Sequence, residues 1–398
     1  MTIGSEEAEG SDMAGLYGGT RVGATGRQEE AAMSEAAVRE AFRIQAFYCA
    51  RMDAPIYARL CEVIADRLAR DGEVARRVLD WPGEPTRDAL PLRLIGGLHA
   101  LVLDRADDAL AAVFAGAVTA PDAIAAVFAA TLERHAARLL PYLDGPPQTN
   151  EPGRAAALMV GLIAVSRCLG PRLETLEIGA SAGLNLLIDR YRFDLGGLAV
   201  GPADAALTLR PEWRGDPPAP VALDIVATRG CDVAPLDARD PAQARRLESY
   251  VWPEAPERLE RLRAAVAMVR EHGVALDRAD AADWLEARLA EPQAMGVTRV
   301  LLHSVVWQYL PEATADRVRS AMAAAGAHAT PERPLAWVMM EPDRASARQL
   351  VRVRSWPDES GWETVASAHA HAAWIAPGAP AEEGPGITLP DAAVSEPG

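Results

Sequence analysis

The chain has 398 residues, 49% of them hydrophobic, enough for one large or two ordinary domains with buried cores. Its formal net charge is −16 and it contains no basic run, which argues against a nucleic-acid backbone as partner and leaves a small molecule as the expected one. No apolar run reaches the length of a membrane span, and the acidic, Gly-rich N-terminus does not read as a signal peptide.

Residues 1–33 are rich in Gly, Glu and Ser and are expected to be disordered. Met33 stands directly before Ser34, a plausible helix N-cap, so the natural start is expected there. Residues 34–144 read as an all-helical domain. Val38 and Phe42 anchor its first helix, and Tyr57, Leu60, Cys61, Ile64 and Leu68 form an apolar stripe at helical spacing. Arg93 and His99 stand out in the segment that follows. The expected role of His99 is a buried, hydrogen-bonded one; the sharper alternative is a contribution to a cleft. All cationic residues are arginine and alanine is abundant, a coding bias that lowers the weight of alanine as helix evidence.

Gly145-Pro-Pro-Gln-Thr-Asn-Glu-Pro-Gly153 reads as a linker, with Thr149 or Asn150 capping a helix over 151–168. Beyond it, Leu173-Glu-Thr-Leu-Glu-Ile-Gly-Ala-Ser-Ala-Gly-Leu-Asn-Leu-Leu-Ile-Asp189 reads as a strand, a glycine turn and a helix packed on a sheet. Residues 194–220 read as a Gly/Pro-rich insertion with a short hairpin near 206–209. Further strands are expected over 221–232, 274–280, 297–306 and 335–341, separated by helices, and a terminal hairpin over 351–375. The residues after 377 are expected to be disordered. Strands alternating with helices give an α/β fold: a mostly parallel sheet over residues 145–376, closed by an antiparallel hairpin and preceded by the all-helical N-terminal domain.

The glycine turn does not carry a dinucleotide fingerprint, because Ser181 and Leu184 occupy two of its three glycine slots. Its acid-x-Gly-x-Ser-x-Gly spacing, Glu177 to Gly183, resembles the first motif of the Rossmann-like S-adenosylmethionine (SAM) methyltransferases. Acids also end the next two strands, at Asp232 and Asp280. Carboxylates suit the hydroxyls and amino groups of a nucleoside ligand. The resemblance implies SAM as cofactor, contacted by Glu177, Gly179, Ser181, Gly183, Asn185, Asp232 and Asp280. Together with Thr149-Asn-Glu, Arg229-Gly-Cys-Asp-Val-Ala-Pro-Leu-Asp237 and Val251-Trp-Pro, the same turn resembles the bacterial domain-of-unknown-function family numbered twenty-three thirty-two.

His303-Ser-Val-Val-Trp-Gln-Tyr309 follows the fourth expected strand. Such a position suits His303 as general base and Tyr309 as a residue orienting a methyl acceptor. The expected function is therefore methyl transfer to a small molecule, the alternative being an inactive nucleoside-binding or scaffold protein on the same fold. Cys49, Cys61, Cys168 and Cys231 form no Cys-x-x-Cys pair and lie at no zinc-ligand spacing from a histidine. They read as reduced cytoplasmic thiols, and no metal is expected.

Overall fold

The computed structural model describes residues 24–343, 346, 348–358 and 361–379, with side chains from Glu35 onward. The rest of the expected leader and tail lies outside the described residues. The chain divides into two compact units: Met1–Ile95 with Gly116–Pro146, and Gly96–Ala115 with Pro147–Gly398. One boundary falls between Pro146 and Pro147, and the segment Gly96–Ala115 from the helical half belongs to the second unit. Within that unit His99 Nδ1 lies 3.1 Å from the Ser249 carbonyl, and Arg245 pairs with Asp104 at 2.8 Å.

The first unit holds α1 (Ala24–Arg51), α2 (Pro55–Arg67), α3 (Gly72–Leu79) and the start of α4 (Leu90–Leu103). Helix α1 begins ten residues before Ser34. The run Arg27-Gln-Glu-Glu-Ala-Ala-Met33 consists of strong helix formers and contains no breaker. The expected stripe of α2 is buried throughout. Arg39 on α1 donates to the carbonyls of Ala65 and Leu68, satisfying acceptors that the end of α2 leaves open. Helix α5 (Asp108–Phe114) belongs to the second unit; α6 (Pro121–Arg134) and α7 (Ala136–Leu143) complete the first.

The second unit opens with α8 (Arg154–Leu169), apolar on all sides and buried along most of its length. The strands follow as β1 (Arg172–Ile178), β2 (Arg192–Leu195), β3 (Leu198–Val200), β4 (Thr208–Leu209), β5 (Glu212–Trp213) and β6 (Asp224–Asp232). After α9 (Pro241–Ser249) and α10 (Pro256–His272) come β7 (Leu276–Arg278), α11 (Ala281–Leu289), β8 (Thr298–Ser304) and α12 (Glu312–Gly326). The chain then forms β9 (Leu335–Asp343), β10 (Arg348–Trp356), β11 (Glu363–Ala368) and β12 (Trp374–Pro377).

The main sheet runs β5-β12-β11-β10-β9-β8-β1-β6-β7. Its half from β7 to β9 is parallel. The chain leaves β1 for β6 on one side and later returns to β8 on the other, so strand order reverses at β1. In open parallel sheets the crevice beyond the strand ends at such a point is where ligands bind. The expected antiparallel closure is larger than one hairpin: β9, β10, β11 and β12 pair antiparallel in succession, and β5 adds to the far edge in parallel. Gly161 lets α8 seat against the sheet, since a Cβ there would fall 2.3 Å from Val338.

Two further expectations are corrected. No long helix follows the glycine turn; Leu184–Leu187 is a single 3-10 turn. Gly179, Ser181 and Gly183 all have left-handed φ, at 67°, 55° and 74°. Alternate left-handed residues wind the chain through tight turns, and the apolar residues that suggested a helix are buried in those turns. The expected hairpin near 206–209 is a lone short strand, β4, pairing parallel with β2 in a separate three-stranded sheet.

Candidate functional site

The parallel register brings the ends of β1, β6, β8 and β9 together. Glu177 pairs with Gly230 on one side and Leu302 on the other, and His303, one step further, pairs with Met339. Glu177, the last inward acid of β1, is buried. Its Oε1 accepts from Asn185 Nδ2 at 2.9 Å, whereas Oε2 and the Asn185 Oδ1 have no partner among the described residues. Burial, with the nearby Asp232 charge adding to it against the Asn185 hydrogen bond, pushes the Glu177 carboxyl up to about 7. This carboxyl therefore changes charge near neutrality.

The glycine turn is stitched to its surroundings through its backbone. The Ser181 N–H donates to Asp232 Oδ2 at 2.9 Å, and the N–H groups of Ala182 and Leu184 donate to Asn150 Oδ1 at 3.3 and 2.9 Å. Asn150 thus caps this turn and not the helix expected after it; α8 has Gly153 at its N-cap and no side-chain cap. Ser181 holds a backbone conformation that favours glycine. Its hydroxyl donates to Gln148 Oε1 at 2.8 Å, an interaction glycine cannot make. Gly179 is required for close approach: a Cβ there would meet Val306 Cγ2 at 2.2 Å.

Asp232 ends β6, with its other oxygen accepting from the Ala234 N–H at 2.8 Å. Asp280 is the N-cap of α11: Oδ1 accepts from the Ala282 and Asp283 N–H groups and Oδ2 from the Thr314 hydroxyl. Its carboxylate is thus engaged in building the fold. Asp224 starts β6, beside Arg172 at the end of the parallel strands away from the turn.

His303, one residue before the end of β8, is fully buried. Its Nδ1 lies 2.7 Å from Glu341 Oε1 of β9, and the same oxygen accepts from the Val306 and Trp307 N–H groups. The carboxylate makes Nδ1 the protonated nitrogen and leaves Nε2 as the acceptor, which has no protein partner among the described residues. Trp307 stacks on the imidazole at 5.2 Å, and Trp337 meets it edge-on at 5.9 Å. Val305, in the connecting turn, has φ 53°, a strained value for a β-branched residue. Tyr309 lies at the end of the next 3-10 turn with 68% of its surface exposed.

A family model described as "Uncharacterized protein conserved in bacteria (DUF2332)" matches residues 39–376. The chain belongs to this family. Comparison with curated proteins and with solved structures returns no match. The family's matched span contains every residue of the strand-end cluster.

The structure brings Glu177, Gly179, Ser181, Gly183, Asn185 and Asp232 together around one turn, and His303 onto the strand beside it. Asp280 stands apart as a helix cap. Sequence reasoning missed Glu341, Gln148 and the turn-capping role of Asn150. Glu341 ends the expected strand Leu335-Ala-Trp-Val-Met-Met-Glu341, so the acid-at-strand-end pattern that found the other three extends to it. Nothing local in the sequence signals Gln148. His99 is buried and stacked on Phe114; burial pushes its imidazole down to about 4, against its backbone hydrogen bonds. Among the described residues there is no metal-binding group of His, Cys, Asp and Glu, all four cysteines are free thiols, and no helix is long and apolar enough to cross a membrane.

Proposed function

We propose that this protein binds SAM at the carboxyl edge of β1 and β6 and transfers a methyl group to a small-molecule acceptor activated by His303. The observation that carries the reading is the His303–Glu341 pair, with an unpartnered Nε2 at the end of the strand adjoining the glycine turn. Buried acceptors fit the cofactor's amine and hydroxyls: Glu177 Oε2 and Asn185 Oδ1 lack partners, and Asp232 stands at the next strand end. The turn's own N–H donors from Ser181, Ala182 and Leu184 are already bonded within the protein.

When bound, SAM supplies an electrophilic methyl group on a sulfonium. The chain's own part is to orient and to move a proton. His303 Nε2 takes the proton from an oxygen or nitrogen nucleophile, and Glu341 stabilises the imidazolium that forms. Burial of the pair excludes water and strengthens the interaction. Trp307 covers His303, so access to Nε2 requires movement of the strained turn at Val305. That same burial favours a second reading, a nucleoside-binding protein without turnover.

Calorimetric titration with SAM and its demethylated product tests binding, with NAD as control. Asp232→Asn should weaken SAM roughly tenfold or more, since hydrogen bonds to a charged group contribute about 1.5–3 kcal/mol. The amide keeps one acceptor for the turn. His303→Asn should reduce turnover by about a hundredfold or more with SAM affinity little changed. Binding of NAD and not SAM would overturn the reading; SAM binding with no methyl transfer to any cell metabolite would select the inactive alternative.

A further inference from the structure

The second unit also buries a cluster of arginines that the proposed reaction does not use. Glu151, just before α8, accepts from Arg258 Nε at 2.7 Å and Arg261 Nε at 3.0 Å, both from the first turns of α10. Arg154, the first residue of α8, donates through Nε to the Ala370 carbonyl at 3.0 Å. The clustering is tight: a Cβ on Gly153 would fall 2.7 Å from the His371 carbonyl and 3.0 Å from Glu151 Oε1.

Arg154 and Arg258 retain only 8% and 6% exposure, yet their terminal Nη groups donate no hydrogen bond to any described residue. These Nη atoms are not sealed in the interior: each keeps some accessible surface, so the two guanidinium forks present free donors to an incoming ligand. Burial would raise the Glu151 carboxyl, but the Arg258 and Arg261 charges outweigh it and hold it down at about 2, so this acid is ionised and engaged. Three guanidinium groups then face one carboxylate. Burial, followed by the Arg258 charge, holds His371 well below the usual imidazole range, so it is neutral at pH 7 and does not offset the surplus. Arg154 also lies within electrostatic reach of Glu341 and Tyr309. Counting Glu341 still leaves the cluster one positive charge in excess.

We propose that Arg154 and Arg258, braced by Glu151 and Arg261, form a recognition site for the carboxylate or phosphate of the small-molecule acceptor. The planar guanidinium fork suits either oxyanion, and Arg154 lies within electrostatic reach of Glu341, the partner of the base that would deprotonate the same molecule. The assignment rests on the reading of His303 as that base, but oxyanion binding is measurable without SAM or turnover.

The full chain is titrated with inorganic phosphate and, separately, with acetate, in low-chloride buffer, by calorimetry. Saturable binding of phosphate assigns a phosphoryl ligand and of acetate a carboxylate. Arg154→Gln should weaken the bound anion roughly tenfold to a hundredfold, the loss expected for a charged hydrogen-bond donor. SAM affinity should stay at the parent value. Arg261→Gln, which leaves Glu151 its Arg258 partner, should weaken the anion by a smaller factor and carries the test should Arg154→Gln fail to fold. Absence of saturable binding of either anion to the parent protein overturns the site, as does unchanged binding in a folded variant. Parallel loss of SAM affinity in Arg154→Gln overturns the assignment to the acceptor. Failure of the parent protein to bind SAM, with anion binding intact, rejects the methyltransferase reading alone.

Discussion

Replacing Glu177 by glutamine should stabilise the protein, and increasingly so as pH rises. The carboxyl is buried on β1 with one oxygen bonded to Asn185 and the other unpartnered, and burial raises it from an ordinary 4.5 to about 7. A carboxyl raised on folding binds its proton more tightly in the native state than in the unfolded chain. Stability is therefore unaffected below about pH 4.5, falls as pH rises from there, and levels off above about pH 7. The full loss is about 3 kcal/mol, at 1.36 kcal/mol for each pH unit between the two values. Glutamine resembles the protonated acid in shape, retains the acceptor for Asn185 and does not ionise. The stability difference between Glu177→Gln and the parent should thus grow by about 2 kcal/mol from pH 5.5 to pH 8, most of the pH interval over which the native carboxyl ionises. Urea unfolding at both pH values, followed by tryptophan fluorescence and compared at equal slopes, measures it. A pH-independent difference would refute the reasoning, and so would a variant that loses ground as pH rises. Either result would mean that Glu177 is already ionised and satisfied in the native protein.

Asn150→Ala strips the acceptor from two N–H groups of the glycine turn and should cost about 2–4 kcal/mol in urea unfolding, since each buried donor left unpaired costs about 1–3 kcal/mol; a loss under about 0.5 kcal/mol would show that the turn holds itself. Asp280→Ala should cost about 1 kcal/mol through the lost cap of α11 and leave SAM affinity at the parent value, measured by calorimetry, whereas a large affinity loss would return Asp280 to the ligand site. Glu341→Gln removes the charge that fixes the His303 tautomer, so the ring-nitrogen NMR signals should show Nε2 gaining proton occupancy; an unchanged spectrum would separate the two residues.

What the sequence determined by itself lies at short range. Apolar spacing placed the buried stripe of α2, and alternation of strands with helices foretold a large, mostly parallel sheet. The glycine-rich turn after Glu177 and the acid ending β6 were legible because strand ends and turns follow local composition. The burial of His99 was legible in its apolar surroundings. Other features depend on which distant segments meet, and only the tertiary structure decided them. His303 and Glu341 are 38 residues apart in sequence and pair because β8 and β9 are adjacent in parallel register. Asn150 caps a turn more than thirty residues away, which local spacing would assign to the helix next to it. The run after Gly183 has the apolar content of a helix, yet three left-handed residues and a cap from outside turn it into a 3-10 turn. Periodicity reports which residues are buried. Whether two buried polar groups satisfy each other is set by strand order and register, and for Arg154, Glu151 and Arg258 by two helix starts more than a hundred residues apart.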